Sequence, residues 1–357
     1  MKNKFKYLSI IIIIMSISLI LTNCSEKTKN KNYNILKTFV SEEMTSENGG
    51  IYTNYLDKEN EGDLTRGHEI LSESVGLQLL IAYNERDKVS FNNLYNYINE
   101  FFLEGDKSIR WRIDENNANK TMVNASIDDL RIARAFLLAY EIWPEEKYEK
   151  LALDIGNGLL DHSIWQNYLL NQKYGEFDIE TSYQDTYTMG LLGKYNEKWL
   201  DIRRYSLSLV ENAYLGDEFP FYHKIYQIKD NNYLKYDNIN MTDSMITVLH
   251  LSEDNRVKSE TINWLKDKLK QGYIYDEYRY GDWRPISGTE STAIYALVAR
   301  TAKNINDNEL FELAIDKMER FQVKDRNSQI YGSFGTDETL EVFSFDLLQS
   351  MVAYLEG

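Results

Sequence analysis

The sequence predicts an all-α protein, an (α/α)6 barrel or toroid of six helical hairpins, and three observations lead there. Helices that are apolar on nearly every side alternate along the chain with helices that are apolar on one stripe only. The connections alternate with them: short turns lead from the first kind to the second, and loops of roughly twenty residues lead back, a length uncommon in a compact protein unless it serves a function. The two-helix unit recurs about every fifty to sixty residues, as a helical-hairpin repeat does. Six such units bury their apolar helices most economically as an inner ring wrapped by an amphipathic outer ring. An open solenoid of the same hairpins is the alternative, but it would rarely need helices apolar on all faces.

The elements follow in order. Lys2, Lys4 and Lys6 precede an apolar run from Tyr7 to Leu21 that is short for a membrane span and has the layout of a secretory signal. It ends in Leu21-Thr22-Asn23-Cys24, which resembles a bacterial lipoprotein box, so residues 1–24 read as signal peptide and Cys24 as the lipid anchor. An uncleaved signal anchor is the other reading; either puts the folded part at the extracellular face of the cell membrane, lipid-anchored or secreted. Residues 25–32 are polar and lysine-rich, a tether, and residues 33–357 read as a single domain. Its buried helices begin near Ser72, Ile127, Ser182, Thr242, Thr289 and Glu341. The amphipathic ones run about 33–44, 88–103, 146–160, 197–214, 256–269 and 308–321; in the last, Leu310, Phe311, Leu313, Ala314 and Met318 oppose Glu312, Asp316, Lys317, Glu319 and Arg320.

Composition excludes several functions. A net charge of −16 leaves no basic stripe to replace phosphate counterions, so no nucleic-acid partner is expected. Cys24 is the only cysteine, which excludes disulfides and thiolate metal sites. The histidines, His68, His162, His223 and His250, lack metal-ligand spacing, and neither a Gly-rich phosphate loop nor a nucleophilic serine motif occurs, so no metal and no cofactor are expected.

If the ring closes, the long loops and the N-termini of all inner helices share one end around one depression. Glu73, Asp128, Asp129, Tyr183, Asp243, Glu290 and Asp346 then converge, although they are far apart in sequence. Two carboxylates facing each other across an aromatic-lined cleft are the equipment of glycoside hydrolysis, one as acid and one as base. Carboxylates at helix starts are also what capping requires, so residue type alone leaves both readings open.

The segment Ala125 to Trp143, ASIDDLRIARAFLLAYEIW, resembles the signature of the family-eight glycoside hydrolases: a small-residue and Ser/Thr start, two aspartates one residue apart, then a helix ending in Phe or Trp. Ala125, Ser126, Asp129, Ile132, Ala133, Ala135, Leu137, Ala139 and Trp143 fit; Ile127 takes the place of the first aspartate, and Phe136 is larger than usual. Ser72-Glu73 with Gly76 is similar to the family's Ser-Glu-Gly helix start, and Ser182-Tyr183 to its Pro-Ser-Tyr element, with Thr181 for the proline. Asp243 resembles the aspartate of the Tyr-Asp-Ala element, with Thr242 for the tyrosine and Ile246 for an arginine; Asp237 is its rival.

The resemblance implies an inverting mechanism in which Glu73 is the general acid, Asp243 the general base and Tyr183 a holder of the attacking water. Asp129 would bind sugar hydroxyls beside the cleavage point, or cap its helix. Trp111 and Trp283 would be stacking platforms for sugar rings, or plugs that pin their loops. The implied activity is an endo-β-1,4-glucanase acting on extracellular polysaccharide, linked to exopolysaccharide biosynthesis, with the polysaccharide and the synthase complex as partners. Xylan or an amino-sugar glycan is the alternative polymer, and a non-catalytic glycan-binding lipoprotein the alternative class. A polysaccharide lyase would need basic groups for a uronate, which this acidic cleft does not offer.

Overall fold

A computed structural model describes residues 29–58, 67–115 and 123–357. The signal segment and Cys24 lie outside them. Helix α1 already runs through residues 29–43, so the expected tether to residue 32 is too long. The reason is packing: Asn32 is buried, its carbonyl accepts from Gln322 Nε2 at 2.9 Å, and Lys29 pairs with Glu312 at 2.6 Å. No helix among the described residues is long and apolar enough to cross a membrane.

A short strand β1 (Ile70–Leu71) leads directly into α2 (Ser72–Asn84), followed by α3 (Lys88–Tyr97), a π-helical turn at Ile98–Phe102 and β2 (Arg112–Ile113). Next come α4 (Ser126–Ile142), α5 (Glu146–His162), the hairpin β3 (Ile164–Trp165) and β4 (Tyr168–Leu169), and β5 (Asp178–Glu180). After α6 (Thr186–Leu192) and α7 (Lys198–Asn212) lie β6 (Ile225–Gln227), β7 (Asn232–Tyr233) and β8 (Asn238–Asn240). The chain ends with α8 (Met241–Glu253), α9 (Ser259–Gln271), β9 (Glu277–Arg279), α10 (Thr292–Asn304), α11 (Asn308–Met318) and α12 (Ser344–Glu356).

The even-numbered helices form the inner ring, and it closes: α2 packs on α4, α4 on α6, α6 on α8, α8 on α10, α10 on α12, and α12 on α2. The protein is the (α/α)6 barrel that the alternation of apolar and amphipathic helices predicts. In α10 every residue from Thr292 to Ala302 is buried, whereas α9 buries Thr261, Ile262, Leu265 and Leu269 and exposes Asp267 and Lys270. Three inner helices begin later than the sequence suggests. The Thr181–Tyr183 segment is a 3-10 turn, and α6 starts only at Thr186, because Asp185 caps it by accepting from Thr188 N–H at 2.9 Å. Likewise α10 starts at Thr292 rather than Thr289, and α12 at Ser344 rather than Glu341.

Side-chain caps occur in both rings: Asp185 at α6 and Asn240 at α8 belong to the inner ring, while outer helices α5, α7 and α9 have none. Outer helices α3 and α11 carry aspartate caps, Asp87 and Asp307. Inner helices α2, α4, α10 and α12 have no side-chain bond from their N-cap residues. Instead, backbone N–H groups at the inner starts donate to carbonyls in the next hairpin's loop: Ser72 to Trp111 (2.9 Å), Ser126 to Asn171 (2.8 Å), Thr181 to Lys224 (2.9 Å) and Met241 to Asp276 (2.8 Å). Ser344 N–H donates to Thr53 in the first loop at 2.9 Å and completes the circle. At α10 the side chain of Asp346 does this work, accepting from Ala293 N–H at 2.7 Å and Ser291 Oγ at 2.8 Å. The antiparallel pairs β1–β2, β5–β6 and β8–β9 extend the same contacts.

Ser344 tests this closure, because proline at the first helical position is sterically welcome yet removes the N–H. Ser344→Ala removes only the hydroxyl contact to Ser74 at 3.0 Å. Ser344→Pro is expected to lose about 1–2 kcal/mol more in urea unfolding than Ser344→Ala, the cost of an orphaned partner group; equal losses would show that the closing bond contributes nothing.

Candidate active site

Glu73 stands in the first turn of α2, on the ring end where the inner helices begin. It makes no side-chain hydrogen bond to another described residue, so the helix-cap reading does not account for it. Burial, then the charges of Asp128 and Asp346, push its carboxyl up to about 7 against the pull of Arg131. Asp128, in the first turn of α4, accepts from Ser72 Oγ at 2.7 Å and from Arg131 Nη1 at 2.6 Å. Gly76 makes room for that guanidinium arm: a Cβ there would meet Arg131 Cδ at 3.0 Å.

The facing side is built on α8. Asn240 caps this helix by accepting from Asp243 N–H at 3.0 Å, which leaves the Asp243 carboxylate for other work. Its Oδ2 pairs with Lys224 Nζ at 2.8 Å, and the same ammonium lies 3.8 Å from Glu180. Asp243 lines a cavity of about 540 Å³ whose walls include Thr181, Lys224, Tyr236, Asn240 and Tyr280. Asp237 lines it too, from an exposed loop position.

Tyr183 joins the two sides. Burial raises its phenol pKa first, followed by the charges of Asp128, Glu180, Glu73 and Asp243. The Tyr183 phenol therefore lies within electrostatic reach of carboxylates from α2, α4, β5 and α8, which stand up to 170 residues apart in sequence.

The sequence profile of glycosyl hydrolases family 8 matches residues 26–169. A Clostridium perfringens structure described as a novel alpha-amylase is 34% identical, covering 91% of this chain and 97% of that one, with a TM-score of 0.86. The chain belongs to glycosyl hydrolase family 8. YdaJ of Bacillus subtilis (strain 168), whose name calls it a lipoprotein, is 24% identical over 320 residues, covering 88% of this chain and 84% of the relative. The structure of endo-beta-1,4-glucanase CMCax from Acetobacter xylinum is 12% identical, covers 91% of this chain and 97% of that one, and has a TM-score of 0.66, a likeness of fold. As a family-8 protein the chain is a glycoside hydrolase.

In this family-8 chain two expected sugar contacts have other partners. Asp129 is fully buried and its Oδ2 accepts from Asn124 Nδ2 at 2.7 Å; burial pushes its carboxyl well above the usual range. It stands in the wall of the barrel. Asp128, one residue earlier and about 100° away around the helix, faces the site instead. Trp283 is a plug: its ring stacks on Phe219 at 4.7 Å, meets Phe221 and Tyr278 edge-on, and its Nε1–H donates to the Glu218 carbonyl at 3.0 Å. Trp111 sits beside the acid, since its carbonyl receives the Ser72 N–H, and the Arg112 guanidinium lies over its half-buried ring at 4.8 Å. Glu290 bonds Tyr295 and pairs with Lys317 at 3.1 Å, a structural acid.

Sequence reading missed Glu180, Lys224, Tyr236 and Tyr280. Glu180 was findable, because it directly precedes Thr181-Ser182-Tyr183; Lys224 belongs to no motif. In the barrel core, donor atoms of Asp185, His250 and Glu253 lie within 4.8 Å of one another. Arg134 already supplies a cation there, 2.7 Å from Glu253 and 4.0 Å from Asp185. Burial, with three arginines nearby, pushes His250 down to about 4 in spite of Asp185.

Carboxyl ¹³C NMR should show Glu73 titrating near 7. In Asp128→Asn it should titrate lower, since a repelling charge is gone. An unchanged midpoint would mean that Asp128 does not act on the acid.

Proposed function

We propose that the chain is an inverting endo-hydrolase of a 1,4-linked glucan, with Glu73 as general acid and Asp243 as general base. The observation that carries this reading is the contrast between two carboxylates around Tyr183. Glu73 lies among apolar and acidic neighbours that favour its proton, while Asp243 lies 2.8 Å from the Lys224 ammonium. Neighbours that differ in this way assign the acid and the base. Glu73 gives its proton to the glycosidic oxygen as the C1–O bond breaks, so the leaving hydroxyl departs neutral. A water attacks C1 from the opposite face and passes its proton to Asp243. Tyr183, between the two, holds that water through its hydroxyl. Asp128 keeps Glu73 protonated, and Trp111 offers a ring beside the acid for the sugar to stack on.

The relative at 34% identity is described as an alpha-amylase, which favours an α-1,4-glucan. A β-1,4-glucan, which the sequence motifs favoured, is the second reading; its support is the fold shared with the Acetobacter xylinum endoglucanase. The basic and apolar leader ending at Cys24, together with a relative named as a lipoprotein, supports a hydrolase tethered at the outer face of the cell membrane. There it would trim extracellular polysaccharide, including polymer leaving a synthase complex.

The chain lacking residues 1–24 should release reducing ends from soluble starch. Cleavage of carboxymethyl-cellulose alone would promote the second reading, and cleavage of neither, nor of xylan or mixed-linkage glucan, would defeat both. Glu73→Gln and Asp243→Asn should each lower kcat on the order of 10²–10⁴-fold, the usual worth of a positioned acid or base. Because only protonated Glu73 is productive, the rate should fall as pH rises through about 7; a rate still climbing at pH 8 would remove Glu73 from the acid role.

A further inference from the structure

We propose that Lys224 is a positioning residue that orients the carboxylate of Asp243 for its role as base, an inference that rests on the base assignment above. Three observations meet in it. The ammonium is shared unequally, 2.8 Å from Asp243 and 3.8 Å from Glu180, so it selects one of two neighbouring carboxylates. It occupies Asp243 Oδ2, while Oδ1 makes no hydrogen bond to another described residue and is left to accept a proton from water. Its backbone is fixed by the ladder that builds the site: Thr181 N–H donates to the Lys224 carbonyl at 2.9 Å, Thr181 Oγ1 donates to the His223 carbonyl at 2.9 Å, and Glu180 registers with Ile225. The strand pair that delivers Glu180 and Tyr183 thus also presents Lys224 to the first turn of α8.

The need for a cation follows from the company Asp243 keeps. Glu180 and Tyr183 face it from β5 and the 3-10 turn, and Tyr183 in turn feels Asp128 and Glu73. Across the cavity stand His223, Tyr236, Asp237 and Glu277, in a chain of net charge −16. Lys235 lines the same cavity but forms no ion pair with Asp243. In such surroundings the ammonium is the contact that fixes which way Asp243 Oδ2 points, so that Oδ1 is left toward water.

The test is the pH dependence of kcat for wild type, Lys224→Met and Lys224→Arg on whichever glucan the parent cleaves, followed by reducing-end release between pH 4 and 9. Methionine keeps the length of the arm, and the side chain is 40% exposed, so folding should survive; thermal melts check it. In Lys224→Met kcat should fall at least about tenfold with KM little changed, the range of a misplaced acid–base group. Lys224→Arg should return kcat toward wild type. An unchanged kcat in Lys224→Met at every pH, or a loss that Lys224→Arg does not restore, overturns the proposal. Asp243→Asn in the same assay separates the two claims: if it is inactive and Lys224→Met keeps the parent's kcat, only the role of Lys224 falls. If Asp243→Asn stays active, the base assignment falls and takes this inference with it.

Discussion

The hydrogen bond from Ser344 N–H to the Thr53 carbonyl joins the last inner helix to the first long loop, and the geometry of the whole active end depends on the circle it closes. Each member of that circle contributes only about 0.5–1.5 kcal/mol net. Their importance is directional. Every inner start except that of α10 is tied by its backbone to the loop of the next hairpin. Few first-turn acids are therefore needed as caps at this end, Asp346 being one that is, and Glu73 and Asp243 are left for other contacts. Glu73 and Asp243 are acids of this kind: the Ser72 N–H is satisfied by Trp111, and the α8 start is satisfied by Asp276 and Asn240. The outer ring, which has no such lacing at α3 and α11, spends Asp87 and Asp307 on caps.

That release creates an electrostatic problem, which the fold solves twice in opposite directions. On the α2 side the acids are left to repel one another in a dry setting, so Glu73 carries a proton near neutral pH, while Arg131 neutralises Asp128 without cancelling its influence. On the α8 side a strand ladder brings in Lys224, and the carboxylate there faces an ammonium. On the proposed assignment, acid and base are distinguished by their neighbours and not by their residue type. A second charged cluster, Arg134 with Asp185 and Glu253, lies in the core at the other end of α8, away from this chemistry.

Much of this was legible in the sequence, for definite reasons. Helices such as Thr292–Asn304 are apolar on every face, and only a closed ring offers such helices neighbours on all sides. Once the ring is inferred, the convergence of Glu73, Tyr183 and Asp243 follows from topology. Helix phase was not legible to one residue: Ile127 replaces an expected acid, and Asp128 rather than Asp129 faces the site, a difference of a single step around α4. The start of α6 was misplaced because Asp185 caps from inside the expected helix. Trp283 stayed open between platform and plug in the sequence because its packing partners, Phe219, Phe221 and Trp264, lie in other segments. Lys224 was invisible because its meaning comes from a pairing of three-residue strands more than forty residues apart, which leaves no periodic trace.

The central claim is that a laced ring holds an acid and a base on opposite faces of one sugar with a water between them. The anomeric configuration of the first product, read by ¹H NMR within the first turnovers and before mutarotation, tests it most directly. The account predicts inversion, so that an α-linked glucan yields β-anomeric ends and a β-linked glucan yields α-anomeric ends. Products that retain the substrate's configuration would mean that a carboxylate attacks the sugar itself, and would contradict the account.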